Sequence, residues 1–279
     1  MPTSSSTALV EIAARANLAA YDGEAGARYV SGAPHIKHKS LRGLYAAELV
    51  RVFETARRHA PMPRVLDLGA GEGAVTLPVL ELGAHVTAVD ISSEQLTELT
   101  RKCAAHRTRL VVQCANVMDF LGGNDQIFDL IVANSFLHHI PDYLGLLQRL
   151  LPRLGPHGQF FSFQDPLLYS TQKRYVRLFD GLSFLLWRIG RQDAWRGLKR
   201  RIRRARGIFL PDCAHDNAEY HVLRGGVDQN AIATLYTRAG FHTRIVPYFS
   251  TQTAAFQFIG ERIGMKNTFA IIAVRGEGG

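Results

Sequence analysis

Two short stretches hold residue types that could do chemistry. The first, VLDLGAGEG at 65–73, packs Gly69, Gly71 and Gly73 behind an apolar run that includes Asp67. A glycine loop after a strand lets backbone N–H groups come close to a bound nucleotide. Its spacing is G-x-G-x-G, not the dinucleotide G-x-G-x-x-G, and it holds two acids, Asp67 and Glu72. Carboxylates sit badly beside a pyrophosphate, so the loop suits a ligand with a positive centre and no phosphate. Asp90 follows Gly73 by seventeen residues, where an acid can accept ribose hydroxyls. The second stretch, NSFLHHIPD at 134–142, sets His138 and His139 side by side, and Asp165 ends a later apolar run. A histidine oriented by a carboxylate is a general base, a role worth roughly 10²–10⁴ in rate.

These residues need a scaffold that brings them to one edge. Between about 64 and 163, short β-branched runs alternate with helical stretches, as in a parallel sheet flanked by helices. The runs at 64–68, 85–91, 109–114, 128–134 and 158–164 predict five strands. SSEQLTELTRKCAAH opens on a serine cap, and PDYLGLLQRLLPRLGPHG starts near a proline; both read as helices. After Asp165 the alternation stops for roughly sixty residues of aromatic and basic sequence. A helix at 227–241 and strands at HTRIVPYF and 268–275 complete an expected α/β sheet of seven strands, the last antiparallel. In such a sheet, strand ends carrying Asp67, Asp90, Asn134 and Asp165 share the carboxyl rim, where ligands bind.

The chain has 279 residues, 47% hydrophobic and 20% charged, as expected of a globular enzyme. Glu11 and Arg15 interrupt the apolar part of the N-terminus, which predicts an amphipathic helix and not a signal peptide. Cys103, Cys114 and Cys213 form no CxxC pair, so a reduced, cytoplasmic setting is expected. The net charge of +9 is concentrated: residues 188–206 carry nine Lys/Arg against the single acid Asp193. The expected organisation is an N-terminal helical lid at 1–60, a cofactor-binding core at 61–165, a basic helical cap at 166–226, and the rest of the core at 227–279.

On the strand, acid, glycine loop, strand and acid series, residues 60–165 resemble the class I S-adenosylmethionine-dependent methyltransferases, with a Rossmann-like fold. The resemblance implies that Asp67, Gly69, Ala70 and Gly71 line the methionine part of S-adenosyl-L-methionine and that Asp90 holds the ribose. Ile91 would flank the adenine, Asn116 and Val117 would lie near its amino group, and Asn134 would sit beneath the methionine moiety. Asn116 departs from the aspartate common at that position in the family. His-His-Pro-Asp looks like the subgroup that methylates quinone precursors, natural-product sugars and other small molecules. There the histidine and the strand-five acid are base candidates, so His138, His139 and Asp165 are the catalytic candidates, with His139 or His138 as the base and Asp165 orienting it or acting itself.

The flanks should choose the acceptor. Tyr29 could cover the sulfonium, while His35, Lys37, His38, Glu219 and His221 could face the substrate. No metal is expected, since no standard zinc spacing occurs. The basic segment reads as a solvated helix, a dock for an anionic or lipid-linked acceptor, or a weak membrane-surface contact; nucleic acid is not expected. The order of basic cap, EYH and C-terminal strands is similar to that of glycan-tailoring methyltransferases. O-methylation is the favoured expectation. N- or C-methylation and a non-methylating, cyclase-like catalyst remain as alternatives.

Overall fold

The computed structural model describes residues 4–21, 33–190, 203–204, 206–210 and 213–276. Its centre is a seven-stranded sheet in the order β3-β2-β1-β4-β5-β7-β6. The strands are β1 (Arg64–Leu68), β2 (His85–Asp90), β3 (Leu110–Cys114), β4 (Phe128–Asn134), β5 (Leu154–Pro166), β6 (Phe241–Tyr248) and β7 (Thr268–Arg275). The first five run parallel, and β7 lies antiparallel between β5 and β6. This is the expected Rossmann-like architecture. β5 extends further towards the N-terminus than the sequence suggested, starting at Leu154.

Helices cover both faces, which explains why the central strands are apolar on both sides. The helices are α1 (Ser4–Tyr21), α2 (Pro34–Lys37), α3 (Lys39–Arg57), α4 (Thr76–Glu81), α5 (Ser93–Lys102), α6 (Val117–Gly122) and α7 (Tyr143–Leu150). They continue with α8 (Arg174–Gly190), α9 (Ala214–Asn217), α10 (Tyr220–Arg224), α11 (Gln229–Arg238) and α12 (Ala254–Arg262). On one face, Leu66, Ile131 and Phe160 pack against Phe120 of α6, Leu147 of α7 and Tyr236 of α11. On the other, Val65, Val132, Phe161 and Phe163 pack against Phe53 of α3, Val79 of α4 and Leu99 of α5. Odd and even residues of each strand thus serve opposite layers, as the pleat requires.

Local chemistry sets the helix starts. The Ser92 hydroxyl accepts from Gln95 N–H to open α5, Asp142 accepts from Gly145 N–H to open α7, and Asp228 accepts from Asn230 and Ala231 to open α11. Leu49, Val52, Phe53 and Ala56 of α3 are buried in the second layer, and Glu48 forms a two-pronged ion pair with Arg244 of β6. α3 is therefore packed into the core layer, although its residues fall in the stretch expected to form a lid.

α1 packs against α9, which joins the N-terminal segment to the cap. Much of the basic stretch lies outside the described residues. Of its described part, Arg203 and Arg204 ion-pair with Asp216, which is fully buried. These two arginines hold the cap together instead of presenting charge to a ligand.

Candidate active site

The loop after β1 is built for close approach to a ligand. Gly69 has φ +67°, and a Cβ there would lie 2.4 Å from the Phe136 ring. Gly71 has φ +50°, and a Cβ there would meet only Gln95 Oε1 at an ordinary 3.8 Å, so glycine is required there by the backbone and not by crowding. Asp90 organises this loop: one carboxylate oxygen accepts from Gly71 N–H at 2.8 Å and the other from Ser92 N–H at 2.9 Å. Glu72 turns away to Lys102 at 2.6 Å, so its charge is neutralised outside the loop. Of the loop's two acids, only Asp67 remains to face a positive ligand.

Asp67 is buried, and its Oδ2 accepts from the Thr76 hydroxyl at 2.6 Å. Its Oδ1 has no hydrogen-bond partner among the described residues, and neither does the buried Oδ1 of Asn134. Strand parity puts both on the α3 face of adjacent, paired strands, at their carboxyl ends. Two buried acceptors without donors are costly unless a ligand supplies N–H groups or positive charge. Burial pushes the Asp67 carboxyl up to about 7, against the Thr76 hydrogen bond, and the neighbouring Asp90 adds to the rise. A cationic ligand would restore its ionised form.

Asn116 caps α6, its Oδ1 accepting from Met118 N–H, so its carbonyl oxygen already has a local role. Val117 is buried in the first layer beside it, and Ile91 is half-buried after β2.

The second constellation lies at the ends of β4 and β5. Asp165 is fully buried and takes three donors: His138 N–H at 3.1 Å, His138 Nδ1–H at 2.8 Å, and the Ser162 hydroxyl at 2.5 Å. With Nδ1 as donor, Nε2 of His138 is the lone-pair nitrogen, and it has no hydrogen-bond partner among the described residues. His139 does not share this carboxylate; its Nδ1–H donates to the Ala218 carbonyl at 2.5 Å. The pair is thus divided, with His138 tied to the strand-five acid and His139 to the cap.

Backbone geometry explains how Asp165 reaches His138. Phe161 and Phe163 face the α3 layer, so simple alternation would send residue 165 there too. The β5–β7 register slips between Phe163 and Asp165, inserting Gln164 as a bulge. Asp165 then falls on the same face as Ser162, its hydrogen-bond donor. Gln164 has φ +70° and Ser135 φ +52°, the two non-glycine residues with positive φ among the described residues. Both flank the His138–Asp165 pair, where stored backbone strain commonly marks a working site. Tyr248 and Ser250 hold the strained residue: Gln164 N–H donates to the Tyr248 hydroxyl at 3.0 Å and its amide to Ser250 at 2.8 Å. Ser162, Gln164 and Thr76 were not predicted. Two polar residues interrupting the aromatic run FFSFQ were the available signal.

A protein family described as a methyltransferase domain matches residues 65–158. The match covers about a third of the chain, from β1 into β5. Its similar curated proteins include a ubiquinone biosynthesis O-methyltransferase of Xanthomonas campestris pv. campestris (strain B100), 30% identical over 119 residues, covering 42% of this chain and 50% of that protein. Another of that name, from Methylocella silvestris, is 28% identical over 144 residues, 50% of this chain and 55% of that one. The chain therefore spans about half the length of the curated relatives it matches. Among solved structures, a magnesium protoporphyrin IX methyltransferase from Synechocystis PCC 6803 with bound SAM superposes at TM-score 0.53 with 13% identity, covering 95% and 97% of the two chains. A plantazolicin methyltransferase with SAH and a substrate analogue superposes at 0.56 with 15% identity over 98% of each chain. At these identities the structural likeness speaks for the fold.

Around the carboxyl rim of the sheet, the cap is stitched down in both directions. His139 donates to Ala218, and His221 Nε2–H donates back to the carbonyls of Ile140 at 3.0 Å and Pro141 at 3.2 Å. Burial lowers the pKa of both rings, and nearby His138 adds to the effect. Glu219 lies between them, half-buried, and burial pushes its carboxyl up to about 7. His221 thus reaches the loop that carries His138 and His139. Lys37 and His38 do not. They donate to the carbonyls of Gln252 and Thr251 and fasten α2 to the loop after β6. Tyr29 lies outside the described residues.

His35 is buried, close enough to His138 to feel its charge, and its Nδ1 has no partner. Burial lowers its pKa to about 4, and His138 adds to the shift. A depressed histidine contributes stability that is present above its unfolded value near 6.5 and is lost as pH falls towards 4. The chain should lose on the order of 3 kcal/mol over that window from His35 alone. Urea titrations at pH 7 and pH 4.5 on wild type and His35→Gln check this. The variant should show a clearly smaller loss, and an equal loss in both contradicts the assignment.

Proposed function

We propose that this chain transfers the methyl group of S-adenosylmethionine to a hydroxyl oxygen of a small-molecule or glycan- or lipid-linked acceptor. His138 Nε2 takes the hydroxyl proton. The observation that carries the reading is the buried Asp165 fixing His138 Nδ1–H at 2.8 Å, which leaves Nε2 basic and without a partner among the described residues. When bound, the cofactor supplies a methyl group already activated on a sulfonium, so the transfer is an in-line displacement. What the chain must add is alignment, exclusion of water and removal of one proton.

The unpaired acceptors Asp67 and Asn134 fit the positive methionine end, Gly69, Ala70 and Gly71 give it close backbone contact, and Asp90 fits the ribose. Ile91, Asn116 and Val117 would border the adenine. Asp165 holds the histidine tautomer, and Ser162 satisfies the second carboxylate oxygen. His139 and His221 pin the cap over the rim, and His35 and Glu219 border the acceptor. Similarity to proteins named ubiquinone biosynthesis O-methyltransferase supports an oxygen acceptor.

The test is transfer of isotope-labelled methyl to a panel of hydroxylated and amine acceptors across pH. Transfer to hydroxyls with an acidic limb that is lost in His138→Ala supports the reading. Transfer to amines only, with a profile indifferent to His138, contradicts it.

A further inference from the structure

Outside the active site, α8 is turned the wrong way for a helix of a water-soluble surface. Tyr175, Leu178, Leu182, Leu185, Leu186 and Ile189 recur at three- and four-residue steps, so they share one face, and all are exposed. Leu178 is 75% exposed. The opposite face is where the polar groups go. Asp180 accepts from the Thr251 hydroxyl at 2.5 Å, and the buried Ser183 bonds to Thr251 and Thr253 at 2.8 Å each. Beside it, α12 exposes Phe258 (64%) and Ile259, followed by Ile263 at its C-terminal end. Phe179 of α8 packs its ring 4.6 Å from Phe256 of α12, so the two helices lie side by side. A patch of this kind on a protein surface marks an interaction site.

We propose that the α8–α12 face docks on an anionic lipid bilayer, lying in the headgroup region with its apolar stripe inserted. Charge selects this occupant. Lys173, Arg174, Arg177 and Arg188 start and end α8, while its one acid, Asp180, faces inward. In sequence, Arg191, Arg196, Lys199, Arg200 and Arg201 follow α8 against the single acid Asp193, ahead of Arg203 and Arg204, which pair with Asp216. An apolar helix stripe beside a basic run is the composition of an interfacial helix. At 17 residues, α8 is about 25 Å long and lies on a membrane instead of crossing it. No described helix is long and apolar enough to span a bilayer. A second copy of this chain fits the face poorly, because pairing would bring the exposed Lys173, Arg174 and Arg177 of two copies together and the like charges would repel. This docking goes beyond the proposed reaction and does not depend on it, since neither the cofactor pocket nor His138 takes part.

The test is co-sedimentation with vesicles of phosphatidylglycerol and phosphatidylcholine, against phosphatidylcholine alone, with the full chain and no cofactor. Trp187 and Trp195, the two tryptophans of the sequence, report the contact by their emission. Wild type should sediment with the anionic vesicles, shift its emission to the blue, and bind neutral vesicles at least about tenfold more weakly. A triple variant, Leu178→Ser, Leu182→Ser and Phe258→Ser, changes exposed side chains and should keep the wild-type melting temperature. It should weaken anionic binding by roughly tenfold or more. Absence of sedimentation with anionic vesicles overturns the proposal. So does equal binding by the triple variant, which would leave the basic run as the whole contact, or concentration-dependent dimerisation through this face without vesicle binding.

Discussion

Replacing His138 with alanine is expected to lower kcat by about 10²–10⁴-fold at saturating acceptor, while cofactor affinity stays near the wild-type value. The loss follows from removing the single ring nitrogen that has a buried carboxylate behind it and no partner ahead of it. Asp165→Asn should lose a comparable factor for a different reason. An amide can donate to Nδ1, which would move the ring proton to Nε2 and leave the wrong tautomer facing the acceptor. Ser162→Ala should cost less, since it strips one donor from Asp165 and leaves the His138 bond in place. His139→Ala should raise KM more than it lowers kcat, because His139 binds the cap carbonyl of Ala218 and not the carboxylate. Steady-state kinetics on these four variants check the division of labour. Equal kcat losses for His138 and His139 variants would contradict it.

Gln164→Val is expected to lower kcat by about 10²-fold or more, although Gln164 itself does no chemistry. A β-branched residue resists the φ of +70° that the bulge needs. With every residue kept and the bulge flattened, plain alternation turns Asp165 to the face of Phe161 and Phe163 and breaks its bonds to His138 and Ser162. A strained central strand also threatens folding, so a second variant is needed. Gln164→Gly suits φ +70° better than glutamine does, at the loss of the Tyr248 and Ser250 side-chain contacts. It should fold and retain kcat within about tenfold. If the glycine variant is as inactive as the valine variant, the side-chain contacts of Gln164 matter and the bulge geometry does not.

Much of this arrangement was legible in the sequence, for identifiable physical reasons. β1, β4 and β7 are short, β-branched and bounded by turns, and their limits match the expected ones at both ends. Motif spacing placed Asp67, Asp90, Asn134 and Asp165 on one rim, because a parallel sheet aligns its strand ends. The pairing of His138 with Asp165 was not legible. It depends on a one-residue bulge that reverses which face Asp165 occupies, and no local pattern announces a bulge except the polar break in FFSFQ. The role of Lys37 and His38 also escaped, because their partners are backbone carbonyls more than 200 residues away. Glu72 looked like part of the ligand's electrostatics until Lys102, on the far side of the loop, neutralised it.

The central claim is that the glycine loop, with Asp67, Asn134 and Asp90 around it, holds S-adenosylmethionine. The most direct measurement is calorimetric titration of the wild-type chain with S-adenosylmethionine and S-adenosylhomocysteine, repeated on Asp90→Ala after its fold has been checked by circular dichroism. Micromolar binding of both ligands by wild type, abolished in the variant, is the predicted result. A folded wild-type chain that binds neither ligand would contradict the account and return the loop at 69–73 to the status of a tight strand-to-helix turn.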